Sequence, residues 1–242
     1  MRALSNADFL DLWEDGQRLH ALDRGLLAIG ALDGGPGDES AADWTLGRRN
    51  QALAELYGEC FGPRLRGWTE CERCGEKLEF EVDCRSLVER QEEGSGGPIA
   101  MKGRRFRAPT SRDLARVAGE RDPEWAALKL VELCRIRDGD ECGGNEFGAE
   151  EWRAEDVEEL GKKIVEADPL AEILLSFECP ACKSTHEQPL DLPEFLWAEV
   201  EAVAKRLLSE IHILARAYGW SEDAVLSLSD KRRAMYLQMV QA

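Results

Sequence analysis

Apolar residues recur at helical spacing at both ends of the chain and alternate with charged residues in parts of its middle. That pattern predicts a mixed α+β fold. Ser5 or Asn6 is placed to cap a first helix carrying Phe9, Leu10, Leu12 and Trp13. After Gly16, a second apolar stripe is formed by Leu19, Leu22, Leu26, Leu27 and Ile29. The stretch DGGPGDESAAD, residues 33–43, cannot readily continue a helix and reads as a linker or loop. Residues 1–32 are therefore expected to form a helical segment that either docks in a partner's groove or folds back onto the body. A docking surface would be built from Trp13, Leu22, Arg24, Leu26 and Ile29, with Trp13 as a large rigid contact and Arg24 reaching a partner carboxylate.

Residues 44–190 read as a mixed α/β body. A helix is predicted from Thr45 to Tyr57, ended by Gly58, and KLEFEVDC sets Leu78, Phe80 and Val82 against Glu79, Glu81 and Asp83 as a half-exposed strand should. ERQEEGSGGP reads as a hairpin or disordered loop, with IAMKGRRFRAP as the returning strand. Thr110 with Asp113 opens a short helix through about Val117, and Asp122-Pro123 opens another through about Leu133. RDGDECGGNEFGAEE is a loop, Glu151 to Glu166 an acidic helix, and Asp168-Pro169 restarts the chain into an apolar segment. Residues 191–242 form a C-terminal helical region packed on this body. Asp191 and Glu194 start a long helix whose apolar face runs from Phe195 and Leu196 to Leu214, and Gly219 ends it. Ser221 and Ser229 cap two short helices beyond. Trp220 is expected to pack their corner, and Arg232 and Arg233 are expected to be an exposed, solvated pair, the alternative being pairing with Glu222 and Asp223 or with a partner's acidic groups.

The chemistry-bearing feature is a pair of Cys-x-x-Cys turns, Cys71/Cys74 and Cys179/Cys182. One such pair alone is compatible with redox chemistry. Two of them, one with Gly75 behind its second thiol and one with Pro180 between its thiols, resemble the knuckles of a zinc ribbon. They predict one structural Zn2+ per chain, held by four thiolates and closing a small β region. His186 is a conceivable substitute ligand that a complete thiolate set does not require.

The 242 residues contain eight cysteines and three histidines and carry a formal net charge of −17. Free thiols beside metal-type pairs suit a reducing cytosol. No apolar run approaches about 18 residues, which argues against membrane insertion, and no secretory signal pattern is present at the start. The negative charge opposes broad attraction to a phosphate backbone. Lys102, Arg104, Arg105 and Arg107 form the one basic run that could serve it. His20, His186 and His212 lie in different predicted elements, and no nucleophile, base or phosphate-binding loop is visibly assembled. The chain is accordingly expected not to be an enzyme and to have no small-molecule substrate.

Five segments, in order, carry a family resemblance: LWEDGQRLHALDRGLLAIGAL, CERCGEKLEF, FRAPTSRDLARVA, ADPLAEILLSFECPAC and the C-terminal stretch from DLPEFLWAEV through LARAYGWSEDAVLSLSDKRR to LQMV. Together they resemble the baseplate hub assembly proteins of T-even-type contractile phage tails and of phage-tail-like contractile injection systems. Within that pattern Arg24 is retained, whereas HALDRG lacks the proline that family members often carry and places Gly25 beside the arginine. The resemblance implies a non-enzymatic chaperone, or a minor structural component, of the central hub. Its partners would be hub or spike proteins, and it would be cytoplasmic during assembly or incorporated into the baseplate. The alternative is a zinc-ribbon and helix-turn-helix regulator that binds nucleic acid, suggested by Gly219 at a turn before Ser221. Glu222 and Asp223 at the start of its would-be recognition helix oppose that reading.

Overall fold

The computed structural model describes residues 3–31, 40–94, 96–137 and 152–241. Most of the predicted 33–43 linker, and the predicted loop with Cys142, lie outside the described residues. The N-terminal pattern folds as two helices, α1 (Asn6–Gly16) and α2 (Ala21–Gly30). Ser5 caps α1 in a reciprocal box with Asp8. A 3-10 turn, Ala41–Asp43, leads into α3 (Leu46–Phe61), which Thr45 caps. Gly58 does not end α3; the helix runs through it and stops at Gly62, whose φ of 96° only glycine adopts readily.

The hairpin β1 (Arg64–Glu70) and β2 (Lys77–Asp83) pairs Glu70 with Lys77 at its tip. Asp83 then caps α4 (Cys84–Glu92), so the predicted loop after β2 begins instead as a helix. Its Leu87 is buried and its polar residues lie outside, a stripe too short to stand out in sequence. IAMKGRRFRAP is likewise not one strand. It folds as β3 (Ile99–Met101) and β4 (Arg104–Phe106), joined at Lys102-Gly103, where both residues are left-handed as a tight hairpin turn requires. There follow α5 (Ser111–Val117), α6 (Pro123–Cys134) and β5 (Arg135–Ile136), which adds to β4. The acidic helix is α7 (Ala154–Ala167), and a second isolated hairpin is formed by β6 (Leu174–Glu178) and β7 (Thr185–Pro189). The chain ends in α8 (Leu192–Tyr218), α9 (Glu222–Leu226) and α10 (Asp230–Gln241).

The main core is built on α8. Leu196, Val200, Ala204, Leu207, Ile211 and Leu214 face inward along its 27 residues. Against them pack Phe9, Leu10 and Leu12 of α1, Ala28 and Ile29 of α2, and the buried face of α3. Close approach is built into this packing. A side chain at Gly16 would collide with the Trp197 ring, and a Cβ on Gly25 would lie 3.2 Å from Pro193. Gly25 thus marks where α2 crosses the start of α8. A second, smaller core gathers Ile99, Met101, Phe106, Val131 and Leu160 between the β3–β4–β5 sheet and α6 and α7.

Buried polar groups stitch these parts together. Asp168, 3% exposed, accepts from the Gly47 backbone N–H at 2.9 Å, the Thr45 hydroxyl at 3.1 Å and the Gln91 amide at 2.5 Å. It therefore fastens the end of α7 to the start of α3 and to α4, and satisfied buried carboxylates of this kind specify one arrangement. Arg107 grips Asp113 through two bonds, of 2.6 and 3.0 Å, and donates to the Leu133 carbonyl at 3.0 Å. At the C-terminus, Arg233 is 2% exposed, bonded to Glu210 at 2.5 Å and Asp230 at 2.7 Å. This corrects the expectation of a solvated pair: Arg232 is exposed, whereas Arg233 clamps α10 to α8. Trp220 packs the corner as expected, stacked on Tyr218 at 4.8 Å and edge-on to Tyr236.

Two outcomes follow from this packing. Deleting residues 1–31 removes six core residues, Leu4, Phe9, Leu10, Leu12, Ala28 and Ile29. At roughly 1.5–3 kcal/mol for burial of each large side chain, the loss rivals a typical total stability of about 5–15 kcal/mol. The truncated chain is expected to lack a cooperative melt in circular dichroism; an unchanged melt would contradict this account. The second concerns acid. Burial opposes ionisation of Asp113, but its bonds from Arg107 and Thr110 outweigh that and hold its carboxyl below the usual range. A depressed native pKa stabilises the fold above the unfolded value and loses that effect as pH falls through the native one. The urea midpoint is expected to drop as pH falls below about 4, and Asp113→Asn to lower the midpoint at neutral pH while flattening that acid dependence.

Candidate metal centre

Each Cys-x-x-Cys pair sits at the tip of one of the two isolated hairpins. Glu70 and Lys77 are the last paired residues before Cys71–Gly75, and Glu178 and Thr185 the last before Cys179–Lys183. The tips share one backbone design. The Cys71 N–H donates to Glu76 O at 2.8 Å and the Gly75 N–H to Cys71 O at 2.8 Å. In the second, the Cys179 N–H donates to Ser184 O at 2.9 Å and the Lys183 N–H to Cys179 O at 2.9 Å. Gly75 takes φ 72° and Lys183 takes φ 59° in the equivalent place. Lysine holds there, at a cost of about 1–2 kcal/mol, a conformation that glycine adopts freely.

The structure brings the two tips together. The four cysteine sulfurs all lie within 4.8 Å of one another. Cys71 Sγ is 3.7 Å from Cys182 Sγ, and Cys74 Sγ is 3.6 Å from Cys179 Sγ. A disulfide would need sulfurs about 2.05 Å apart, so these are free thiols. Four sulfurs at about 2.3 Å from one tetrahedral ion stand about 3.8 Å apart, which matches the cross-hairpin separations. Cys71 and Cys179 are buried, Cys182 is half-buried and Cys74 is exposed. The donor set, its spacing and its partly buried setting fit a thiophilic metal ion.

The electrostatics point the same way. The Ser184 hydroxyl lies 3.0 Å from Cys182 Sγ and 3.4 Å from Cys71 Sγ. Hydrogen bonding to Ser184 is the main reason the Cys71 thiol is pushed down to about 6 and the Cys182 thiol is lowered as well. Cys74 goes the other way. The Glu76 backbone amide favours its thiolate, but the Cys179, Cys182 and Cys71 sulfurs and burial outweigh that and push it up to about 12. Sulfurs this close cannot all ionise beside one another. A dication among them would remove that conflict by displacing the protons.

Contacts outside the thiols hold the hairpins face to face. The Thr69 hydroxyl bonds the Gln188 side chain, and Phe80 meets Phe177 edge-on at 6.0 Å. His186 is not part of the cluster: its ring stacks on Phe177 at 5.6 Å, with both nitrogens buried and unbonded. Among the described residues, Cys71, Cys74, Cys179 and Cys182 are the group able to hold a metal ion. Ser184 is the contributor that spacing arguments overlooked. Its signal was its place two residues beyond Cys182, where a small hydroxyl can turn back onto the thiols.

The residues assigned to partner docking have other positions. Ile29 is 2% exposed within the main core, and Trp13 and Leu26 pack half-buried against it. Leu22 is half-buried. Arg24 turns inward: its guanidinium lies 4.6 Å over the Trp197 ring and donates to the Gly16 and Gln17 carbonyls at 3.0 and 3.1 Å. Those carbonyls lie at the end of α1, so Arg24 ties α1, α2 and α8 together. The basic run is divided in the same way, with Lys102 on Asp156 and Arg107 on Asp113. No described helix is long and apolar enough to cross a membrane.

Comparison of the chain with protein-family models, with curated proteins and with solved structures finds no match. What the chain itself provides is an α+β fold with a four-cysteine cluster able to coordinate a metal.

The site makes a direct prediction. Titration of the reduced protein with Co2+ is expected to saturate at about one ion per chain with thiolate-to-metal absorption bands. Cys71→Ser or Cys179→Ser should abolish those bands, while Cys84→Ser, at a buried thiol outside the cluster, should leave them unchanged. Acidification should release the ion as protons compete for the thiolates. Saturation without thiolate bands would contradict the assignment.

Proposed function

We propose that the chain is a zinc-clamped, non-enzymatic assembly factor, or minor structural component, of the central baseplate hub of a contractile phage tail or contractile injection system. The observation that carries this reading is the ordered set of five sequence segments that resemble hub assembly proteins. These segments coincide with the elements that build the body: α1 and α2, the two cysteine knuckles, the β4–α5 connection and α8 to α10. Zinc is the natural occupant of an all-cysteine tetrahedral set, and closed sites of this type serve folding. The bound ion would hold one hairpin against the other while partner proteins are engaged by outer surfaces. Hub or spike proteins are the proposed partners, met in the cytoplasm before the particle is complete.

The nucleic-acid reading draws less support. The helix that Ser221 caps, α9, spans only five residues and opens on Glu222 and Asp223, a short and acidic start for a recognition helix.

The role is tested by a clean gene deletion in the native cluster. Tube, sheath and baseplate-wedge proteins are expected to accumulate normally while complete baseplates fall sharply in electron micrographs. Metal analysis of the protein purified without chelator is expected to return about one zinc per chain. Normal particle yield in the deletion would reject the assembly role and leave the metal assignment standing.

A further inference from the structure

Between α3 and α4 lies an open groove, a cavity of about 430 Å³. Its floor comes from two pairs of residues one helical turn apart, Ala54 and Gly58 on α3 and Cys84 and Val88 on α4. Ala54 and Cys84 are fully or nearly fully buried beneath it, and Val88 is half-buried. The rim is built by the neighbouring positions, Glu55 and Glu59 on one side and Arg85 and Glu89 on the other. Glu59, Arg85 and Glu89 are exposed. Among the described residues none of the three rim carboxylates stands in an ion pair; Glu55 accepts from its own-helix neighbour Gln51 at 3.2 Å.

Gly58 makes this more than a surface depression. A glycine inside a helix costs roughly 0.5–1 kcal/mol relative to alanine, so its presence calls for a reason. At Gly62 the backbone supplies one, but Gly58 has ordinary helical geometry. Close packing within the chain does not supply one either, because a Cβ at Gly58 would meet only Cys84 Cβ at 3.8 Å, an ordinary contact. The missing side chain instead deepens the groove at its centre. An apolar trough of this size accepts one or two large aliphatic side chains, and its carboxylates outnumber its single cation three to one. The chain's overall charge of −17 adds a long-range field of the same sign.

We infer that the α3–α4 groove is a docking site for a basic amphipathic helix of a partner protein, which seats aliphatic residues on Gly58 and sets lysines or arginines against Glu55, Glu59 and Glu89. This goes beyond the hub reading and does not depend on it: the surface and the chemistry of its partner are fixed by α3 and α4 alone. The mode is helix-in-groove recognition, in which apolar anchors give affinity and the charged rim selects partners.

The test uses the full-length protein and a synthetic helix-forming peptide of leucine and lysine in helical periodicity, with a glutamate-for-lysine version as control. Fluorescence anisotropy is expected to show binding of the lysine peptide and not of the glutamate one, with amide NMR shifts centred on Ala54, Gly58 and Val88. Gly58→Leu fills the trough while favouring the helix, so it should weaken binding about tenfold or more without lowering the melting temperature. The pair Glu59→Lys and Glu89→Lys should reverse the preference, towards the glutamate peptide. Glu158→Gln with Glu159→Gln, on α7, should change neither. Absence of binding, shifts spread over the acidic surface, or affinity indifferent to both Gly58→Leu and the charge reversal would each overturn the inference.

Discussion

Burial of one face of α8 is the constraint from which the rest of the arrangement follows. Its apolar stripe needs cover along 27 residues, and that length can be covered only by elements drawn from both ends of the chain. α1 and α2 supply one part, α3 a second, and α9 and α10 fold back to supply a third. Because the hydrophobic effect is non-directional, it does not by itself fix how these helices sit. The directional contacts do that: Arg24 across Trp197, Arg233 on Glu210, and the glycines that let backbones approach. The helical frame is thus held by apolar area and aligned by a few arginines whose charges are satisfied inside it.

The two hairpins stand in a different physical regime. Each is two-stranded, and an isolated hairpin is marginal in water. Their shared core is small, with Leu78, Phe177 and three of the cysteines, Cys71, Cys179 and Cys182, as its members. What that region lacks in buried area a metal ion can supply as binding energy. The helical frame contributes Phe195, which lies 6.1 Å from Phe80 and joins the ribbon to the start of α8. Asp168 performs the corresponding joining task for the second core, where α7 ends. The body is therefore several small cores connected through a few polar or aromatic links.

Much of this was legible in the residues. The capping signals of α1, α5, α6 and α8 announce those helices because Ser5, Thr110, Asp122 and Asp191 each satisfy backbone N–H groups locally. The four-thiol cluster was legible for a similar reason: a Cys-x-x-Cys turn is a local structure, and two of them suggest one site. Less legible were features decided by partners far away in sequence. RLRGWTE gives little alternation of its own, since Gly67 leaves room for Phe80 and Phe195, and it becomes β1 by pairing with β2. The N-terminal stripe looked available for a partner because its cover, α8, lies nearly two hundred residues later. Arg24 and Arg233 looked like surface charges for the same reason. Ser184 carried no recognisable pattern until the fold set it beside two sulfurs.

The separation of the knuckles has a consequence for how the chain matures. Cys71 and Cys182 are 111 residues apart, so a ribosome must add that whole stretch after the first knuckle before the second pair of thiols is complete. Until then the first knuckle is an open dithiol on a lone hairpin, able to hold an ion weakly but not to enclose it. Closing so long a loop is entropically slow to initiate but only mildly costlier than closing a shorter one. Since only β7 separates the second knuckle from α8, the complete set of four thiols and the central helix become available close together. The first hairpin and the helices α1 and α2 therefore both wait for partners that are made well after them.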